Sequence, residues 1–405
     1  MELLKIAWRN LWRNRKRTLI TVASIFFGVI WAALLTSLQE GSFQNMVDNM
    51  VKFTSGYIQV QHNEYHDNRS INNSFEPVNE LNELLNSQDK ISLFTPRLES
   101  FALAASSDKS YGTAVIGIDP ENENQLSELS KWVIEGNYLK NNEEGVLLGE
   151  TLAKNLELEV GDTIALIGQG YHGVQSAGLF PVKGFLKFPI PDLNRQILYM
   201  DLSSAQEFYE ANNLITSMLI MVHEASEVDP LMKELSKTNL PGIKIYSWME
   251  LQPQLVQFID GKKSGAKIFK GILFILIGFG ILGTFIMMMA ERKRELGIMV
   301  AIGMQRIKLS IILFLESIFI GALGVLSGFA ISMPIISYYV RRPIRITGEM
   351  AEAFTDMGFE PIIVFSNDLE IFSGPALTIF IIALIVAIYP ISSIIRLNIV
   401  NSLRS

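Results

Sequence analysis

Thr18–Leu38 reads TLITVASIFFGVIWAALLTSL, 21 residues without a charged side chain. A helix rises about 1.5 Å per residue, so a stretch of this length matches the roughly 30 Å hydrocarbon layer of a bilayer. The pattern returns three times. Residues 268–290 contain one charge, Lys270; residues 309–340 contain one, Glu316; residues 371–395 contain none. Buried helices of soluble proteins seldom stay uncharged for so long. Four membrane spans are therefore expected, at 18–38, 267–290, 309–340 and 371–395. A cleaved leader is the rival reading of the first, since basic residues precede it. Its apolar run exceeds the usual ~7–15 residues, however, and no clear small-x-small site follows.

The charges orient these spans. Residues 1–17, 291–308 and 396–405 together carry +10, whereas 39–270 carries −13 and 341–370 carries −3. Short basic loops stay in the cytoplasm. The chain is thus expected in the inner membrane with both termini inside. Segment 1–17 is read as a cytoplasmic amphipathic helix, 291–308 as a cytoplasmic loop or helix, and 396–405 as a cytoplasmic tail. The large insert 39–266 and the short loop 341–370 are expected outside, in the periplasm. Arg341, Arg342 and Arg345 run against the rule and read as headgroup-level anchors, or alternatively as a contact surface of the external part.

Composition removes other classes. The 405 residues carry a net −7, only 19% are charged, and mean hydropathy is +0.28. With no cysteine there is no disulfide framework, thiolate metal site or cysteine nucleophile. No basic surplus points to nucleic acid.

The insert 39–266 is long enough for real cores and mixes two periods, so an α+β fold is expected. Strand candidates are Tyr57–Gln61, Phe101–Ala105, Thr113–Ile118, Ile164–Ile167, Asn194–Met200 and Met218–Val222. Pro77–Leu85 reads as a short helix opened by proline, and Ser203–Ala211 as one capped by serine. The strand- and glycine-rich middle, about 111–195, is expected as a subdomain inserted into a surrounding βαβ-like layer. Trp248–Ser264 has few breaks besides Pro253 and reads as helix running on into the second span, or as an ordinary loop. The fold expected is an α-helical membrane protein of four transmembrane helices, with this α+β domain inserted between helices 1 and 2.

No catalytic motif is found: G-x-x-x-x-G-K-[ST], H-E-x-x-H and G-x-S-x-G are all missing from the sequence. His62 and His66 have ligand spacing only if helical, and their surroundings read as a strand leaving into a polar loop. The tripeptides from Asn68 and Asn72 match glycosylation sequons, a weak signal in an Asn-rich stretch. Glu316 is costly inside a span, so it reads either as a functional group or as the partner of Arg292 or Arg294. Gly278, Gly280 and Gly283 in the second span, and Gly321, Gly324 and Gly328 in the third, offer close helix contacts.

Ala290–Ser317, AERKRELGIMVAIGMQRIKLSIILFLES, resembles the hallmark of the MacB/FtsX-type ABC permeases. Ile6–Thr18 (IAWRNLWRNRKRT) resembles that family's basic leading helix, and Gly136–Leu166 its external domain with the pattern G-E-x-L-A-x-x-L-x-x-x-x-G-D. The tail from Tyr389 is similar too, with Ile394 and Ile399 standing where the family usually has Ala and Pro. Thr95–Ser100 (TPRLES), Val115–Glu121 (VIGIDPE) and Ser247–Leu255 (SWMELQPQL) look most like the lipoprotein-releasing permeases LolC and LolE. The resemblance implies a non-catalytic permease subunit that works as a dimer with a second permease, identical or homologous. ATP and Mg would be bound by a separate ABC ATPase. Closure of that ATPase would move the external domain by mechanotransmission and release lipoproteins, with a periplasmic lipoprotein carrier as a further partner. Efflux of peptides, antibiotics or other amphiphiles, or FtsX-like control of a cell-wall hydrolase, are the alternatives.

Within that reading the 291–308 segment is the coupling element, through Arg292, Arg294, Glu295, Gly303, Met304 and Arg306, with Met299, Ile302 and Ile307 as apolar contacts. Charge reversal at Arg306 or bulk at Gly303 is expected to uncouple ATP hydrolysis from export. Trp31, Leu35, Phe285 and Met288 are the candidates for facing a lipid substrate, Met because its side chain adapts to varied chains.

Overall fold

The structure is a computed structural model that describes residues 2–13, 15–238, 240–356 and 360–396. The tail expected at 396–405, with Ile399, lies outside the described residues beyond Arg396. The chain divides into two compact units. One is built from the residues up to Asn45, Ile259–Arg345 and those from Ile362 onward; the other is Met46–Phe258 with Ile346–Pro361.

Among the described residues four helices are long and apolar enough to cross a membrane. The first runs Arg15–Met50, the second Pro253–Ala301, the third Arg306–Arg341 and the fourth Leu369–Val386, continued by Ile388–Ile395. All overrun the apolar stretches that mark them, since no proline lies in the interior of the flanking segments and glycines there such as Gly41, Gly261 and Gly265 are tolerated within long helices. The second begins where a proline costs nothing: Pro253 sits at the first helical position, whose N–H has no partner in any case. Trp248–Leu251 before it is a separate turn, closed by a Ser247–Glu250 capping box. Of the 291–308 segment, expected as loop or helix, most is helix and only Ile302–Gln305 turns. In the fourth helix Pro390 has no N–H for the carbonyl four residues back, and the helix restarts at Ile388.

Inside the helical unit Ile25, Val29, Ile281, Phe285, Ile320, Ile379 and Ala383 form one core. Gly324 and Gly328 let the first and third helices touch: a Cβ there would meet Ile25 Cβ at 2.6 Å and Val29 Cβ at 2.8 Å. The second helix makes no such use of Gly280 and Gly283, where a Cβ would meet nothing within 4 Å. Gly324→Leu is therefore expected to cost about 1–3 kcal/mol by overpacking and lower the melting temperature in detergent, while Gly283→Leu leaves it unchanged. Equal melting temperatures for the two variants would refute this packing role.

The other unit is built on ten strands: β1 (Ile58–His62), β2 (Ile91–Ala105), β3 (Ser110–Ile118), β4 (Val133–Gly136), β5 (Val146–Gly149), β6 (Thr163–Gln169), β7 (Gln175–Leu186), β8 (Ile197–Asp201), β9 (Ser217–Val222) and β10 (Ile243–Ser247). The order β10-β1-β9-β2 is antiparallel throughout. Helix Asn79–Asn86 links β1 to β2, and Val228–Leu235 links β9 to β10, giving a β-α-β-β-α-β layer. Leu81, Leu85, Leu231 and Leu235 pack on its strands with Ile58, Val60 and Ile220. Beyond Arg97, β2 leaves β9 and enters a ring of pairings, β2-β3-β8-β5-β7-β6 and back to β2. A closed ring has no free edge. Alternate residues fill it: Leu98, Ala104, Val115, Val146, Leu148, Ile164, Leu166, Val182, Leu198 and Met200.

The insertion is wider than the 111–195 expected. β2 pairs with β9 as far as Arg97 opposite Ser217, so the insertion that contains the barrel runs from 98 to 216. Three smaller differences have local causes. Asn194–Met200 is not one strand: Pro191 opens a helix to Gln196, and the Asn194 side chain holds both the N–H (2.7 Å) and the carbonyl (3.0 Å) of Phe188. The helix expected from Ser203 runs Leu202–Phe208, with Asp201 as its cap, accepting from the Ser203 N–H at 3.0 Å. The helix expected at Pro77 starts at Asn79. His66 stacks on Tyr246 with ring centroids 4.8 Å apart, which turns it away from a ligand role with His62.

Candidate functional site

Two of the charged residues singled out, Glu295 and Glu316, are contacted by the amphipathic leading helix Glu2–Arg13. Its apolar stripe buries Ala7 and Leu11. Trp8 meets Phe319 of the third helix edge-on, with centroids 5.4 Å apart. Thr18 Oγ1 donates to the Leu11 carbonyl at 2.9 Å, giving a partner to one of the carbonyls left over at that helix end.

Beneath it lies a buried ion pair. Arg292 Nη1 donates to Glu316 Oε2 at 2.5 Å, and Asn10 Nδ2 donates to Glu316 Oε1 at 2.7 Å. The side chains of Arg292 and Glu316 are 7% and 2% exposed, so each charge depends on the other for compensation. The network continues outward: Arg292 Nε lies 3.9 Å from Glu295, and Arg13 Nη2 donates to Glu295 at 3.1 Å. Leading helix, second helix and third helix are thereby tied together.

This corrects the reading of Arg292 as a contact for a partner protein. It packs inward because it continues the stripe Phe285, Met288, Met289, Arg292, Leu296, spaced three and four residues apart. The same stripe corrects Phe285 and Met288, which were expected to face a lipid substrate. Phe285 is fully buried in the helical core, and Met288 is nearly so. The outward residues at that level are Ile286 and Met287. Trp31 is exposed and Leu35 half-buried. The helical period alone could have separated the two sets.

Of the other expected residues, Arg294 and Glu295 are exposed, as is the neighbouring Lys293. Met299 and Met304 fold back onto a small cluster of Met289, Leu296, Leu309, Leu313 and Ile394. Gly303 takes φ +104° and reverses the chain; a side chain there would meet nothing within 4 Å, so only backbone strain opposes it. Arg306 Nη1 donates at 2.7 Å to the Ile395 carbonyl, the end of the last helix. What projects from the turn is apolar: Ile302 is 82% exposed and Ile307 74%. Lys293, Arg294 and Lys308, on the helices that flank the turn, are exposed as well. Ile307 also lines a groove with Ile311, Phe314, Ile391 and Ile395. Such a tip, apolar at its centre and cationic at its rim, suits a protein partner with an acidic groove. Among the described residues no group of His, Asp and Glu is placed to hold a metal ion. Asn10 and Arg13 were missed in the sequence, where the leading helix offers only its amphipathic period.

Residues 18–238 match the family model described as MacB-like periplasmic core domain, and residues 267–399 the one described as FtsX-like permease C-terminal. The chain is 19% identical over 259 residues to the lipoprotein-releasing system transmembrane protein LolC of Xylella fastidiosa, covering 62% of each chain. It is 22% identical over 374 residues to the pyoverdine export ATP-binding/permease protein PvdT of Pseudomonas fluorescens, covering 88% of this chain and 54% of that one. The matched part is thus under two thirds of the length of either relative. The solved periplasmic region of MacB from Actinobacillus actinomycetemcomitans aligns at 17% identity with a TM-score of 0.34, covering 54% of this chain and 98% of that one.

Proposed function

Because this chain belongs to the MacB/FtsX-type ABC transporter permeases, we propose that it couples ATP hydrolysis by a separate ATPase to release of lipoproteins from the inner membrane. The turn Ile302–Gln305 and its basic flanks receive the ATPase on the cytoplasmic side, in keeping with the excess of positive charge there. ATP and Mg reside on that partner, and a second permease, identical or homologous, completes the assembly. The external domain works in the periplasm and passes its cargo to a carrier. Trp31 and Leu35, with the outward Ile286 and Met287, border the lipid path.

One observation carries this reading. The second helix is unbroken from Pro253 to Ala301, 49 residues, or roughly 70 Å at 1.5 Å per residue. It starts just after β10 of the external domain and ends at the exposed Ile302. A continuous helix of that length transmits displacement rather than absorbing it, as mechanotransmission requires. Lipoprotein as the cargo is supported by the likeness to LolC. The likeness to PvdT over most of this chain favours a second reading, export of a small amphiphile.

Co-purification of the full chain with its ATPase from membranes, followed by mass spectrometry of what stays bound, decides between them. Acylated protein that leaves on ATP addition is the expected result. A bound peptide or siderophore-like compound supports the second reading. An assembly that stimulates no ATP hydrolysis and holds no cargo refutes both.

A further inference from the structure

Arg97 heads the largest fully buried side chains of the molecule, and nothing in the coupling scheme above uses it. Its Nε donates to Glu123 Oε2 at 3.0 Å and its Nη2 to Glu123 Oε1 at 2.7 Å, a two-pronged pair with both side chains 0% exposed. Glu99 lies 3.7 Å from Nη1 and keeps about a quarter of its side chain in solvent. Burial alone would push the guanidinium's pKa down, and Glu123, together with Tyr199 and Glu99, more than offsets that, so Arg97 stays charged. The remaining nitrogen, Nη1, has an informative target. Nη1 donates at 3.1 Å to the carbonyl oxygen of Thr54.

Thr54 belongs to the π-helical turn Val51–Ser55, in which the helix from Arg15–Met50 ends. The last carbonyls of a helix have no partner inside it, and Arg97 supplies one from β2. Phe53 of the same turn lies edge-on to Trp132 (5.6 Å) and Phe188 (5.3 Å), in a core with Ile116, Ile118 and Tyr199. Gly56, at φ +65°, closes the turn by donating to the Val51 carbonyl. Arg97 also occupies a singular register position, opposite Ser217 of β9 on one side and Ile118 of β3 on the other. There the open layer becomes the barrel.

We infer that Arg97, oriented by Glu123, is a positioning residue that fastens the end of the first membrane helix to the junction of layer and barrel, so that movement of that helix drags the external domain with it. This deepens the coupling reading given above and rests on it. Arginine suits the task because its planar fork serves two carboxylate oxygens and a third acceptor in fixed geometry, whereas lysine offers a single point donor.

The test is hydrogen–deuterium exchange on the full chain assembled with its ATPase in lipid nanodiscs, together with substrate released per ATP hydrolysed. Two variants are compared with the native protein. R97K keeps the charge and loses the fork. R97M/E123M replaces the buried pair with apolar side chains, a change that leaves many proteins as stable as before, so it serves if R97K fails to fold. In either, exchange at the Val51–Gly56 amides is expected to rise at least tenfold, with β1, β9 and the melting temperature unchanged, and release per ATP to fall about tenfold. Unchanged exchange at Val51–Gly56 overturns the inference. So does a rise spread over the whole external unit with a lower melting temperature, which would make Arg97 merely structural. Local loosening with native release per ATP overturns it as well. If the native assembly itself releases nothing while the variant loosens locally, the fastening stands and the transport reading falls.

Discussion

Glu316→Ala is expected to lower the folding equilibrium constant of the permease in detergent by on the order of a hundredfold or more. The substitution leaves Arg292 buried at 7% side-chain exposure with no counter-charge, and strips Asn10 of its acceptor. Breaking a buried pair by removing one partner costs about 3–5 kcal/mol, and each ~1.4 kcal/mol is a factor of ten. Replacing both, as Arg292→Met with Glu316→Leu, removes the orphaned charge along with the pair. That double variant is expected to regain most of the lost stability, since a well-packed apolar pair of similar volume does as well as a buried ion pair. Size-exclusion profiles after graded heating measure both. A stable single variant, or a double variant no better than the single, would show that the pair is dispensable and that Glu316 is compensated elsewhere.

The contrast between Glu316 and Arg97 shows what the sequence can carry. Glu316 announces itself because it interrupts 32 residues that are otherwise uncharged, and its partner is narrowed to Arg292 or Arg294. The helical period then chooses: Arg292 continues the stripe of Met288 and Met289, while Arg294 lies about 200° around the helix. Applied with equal rigour, the same period would have turned Phe285 and Met288 inward. Arg97 stands in a strand of mixed polarity, and its partner Glu123 is on a short helix 26 residues on. No local rule joins them. The barrel is hidden for a related reason, since its closure depends on β2 meeting β6 about 60 residues downstream, and strand periodicity records which face is buried without recording which strand is adjacent. What was legible was therefore whatever the bilayer or a single element dictates. What was not legible depends on pairing between distant segments.

Ile302→Asp separates docking from folding more cleanly than the substitutions the sequence suggests at Gly303 and Arg306. Gly303→Val meets no neighbour but strains a backbone at φ +104°, costing of order 1–3 kcal/mol, so it alters the turn itself. Arg306→Glu removes the donor to the Ile395 carbonyl and so frays the last helix as well as reversing a charge. Either would impair coupling for reasons that include local stability. Ile302, 82% exposed, packs on little within this chain, so its loss costs the isolated permease almost nothing. If it seats in a groove of the ATPase, an anchor of that kind is worth about 2 kcal/mol or more, and a buried aspartate there costs further. Ile302→Asp is expected to weaken ATPase binding at least thirtyfold with an unchanged melting temperature, and Ile307→Asp to do so to a similar degree. The effect should grow when Lys293 and Arg294 are also neutralised, and it should persist at high salt, because the anchor is apolar and only the cationic rim is screened. Native affinity in both isoleucine variants would move the docking surface off this turn, and the second helix would then have no motor at its end to transmit.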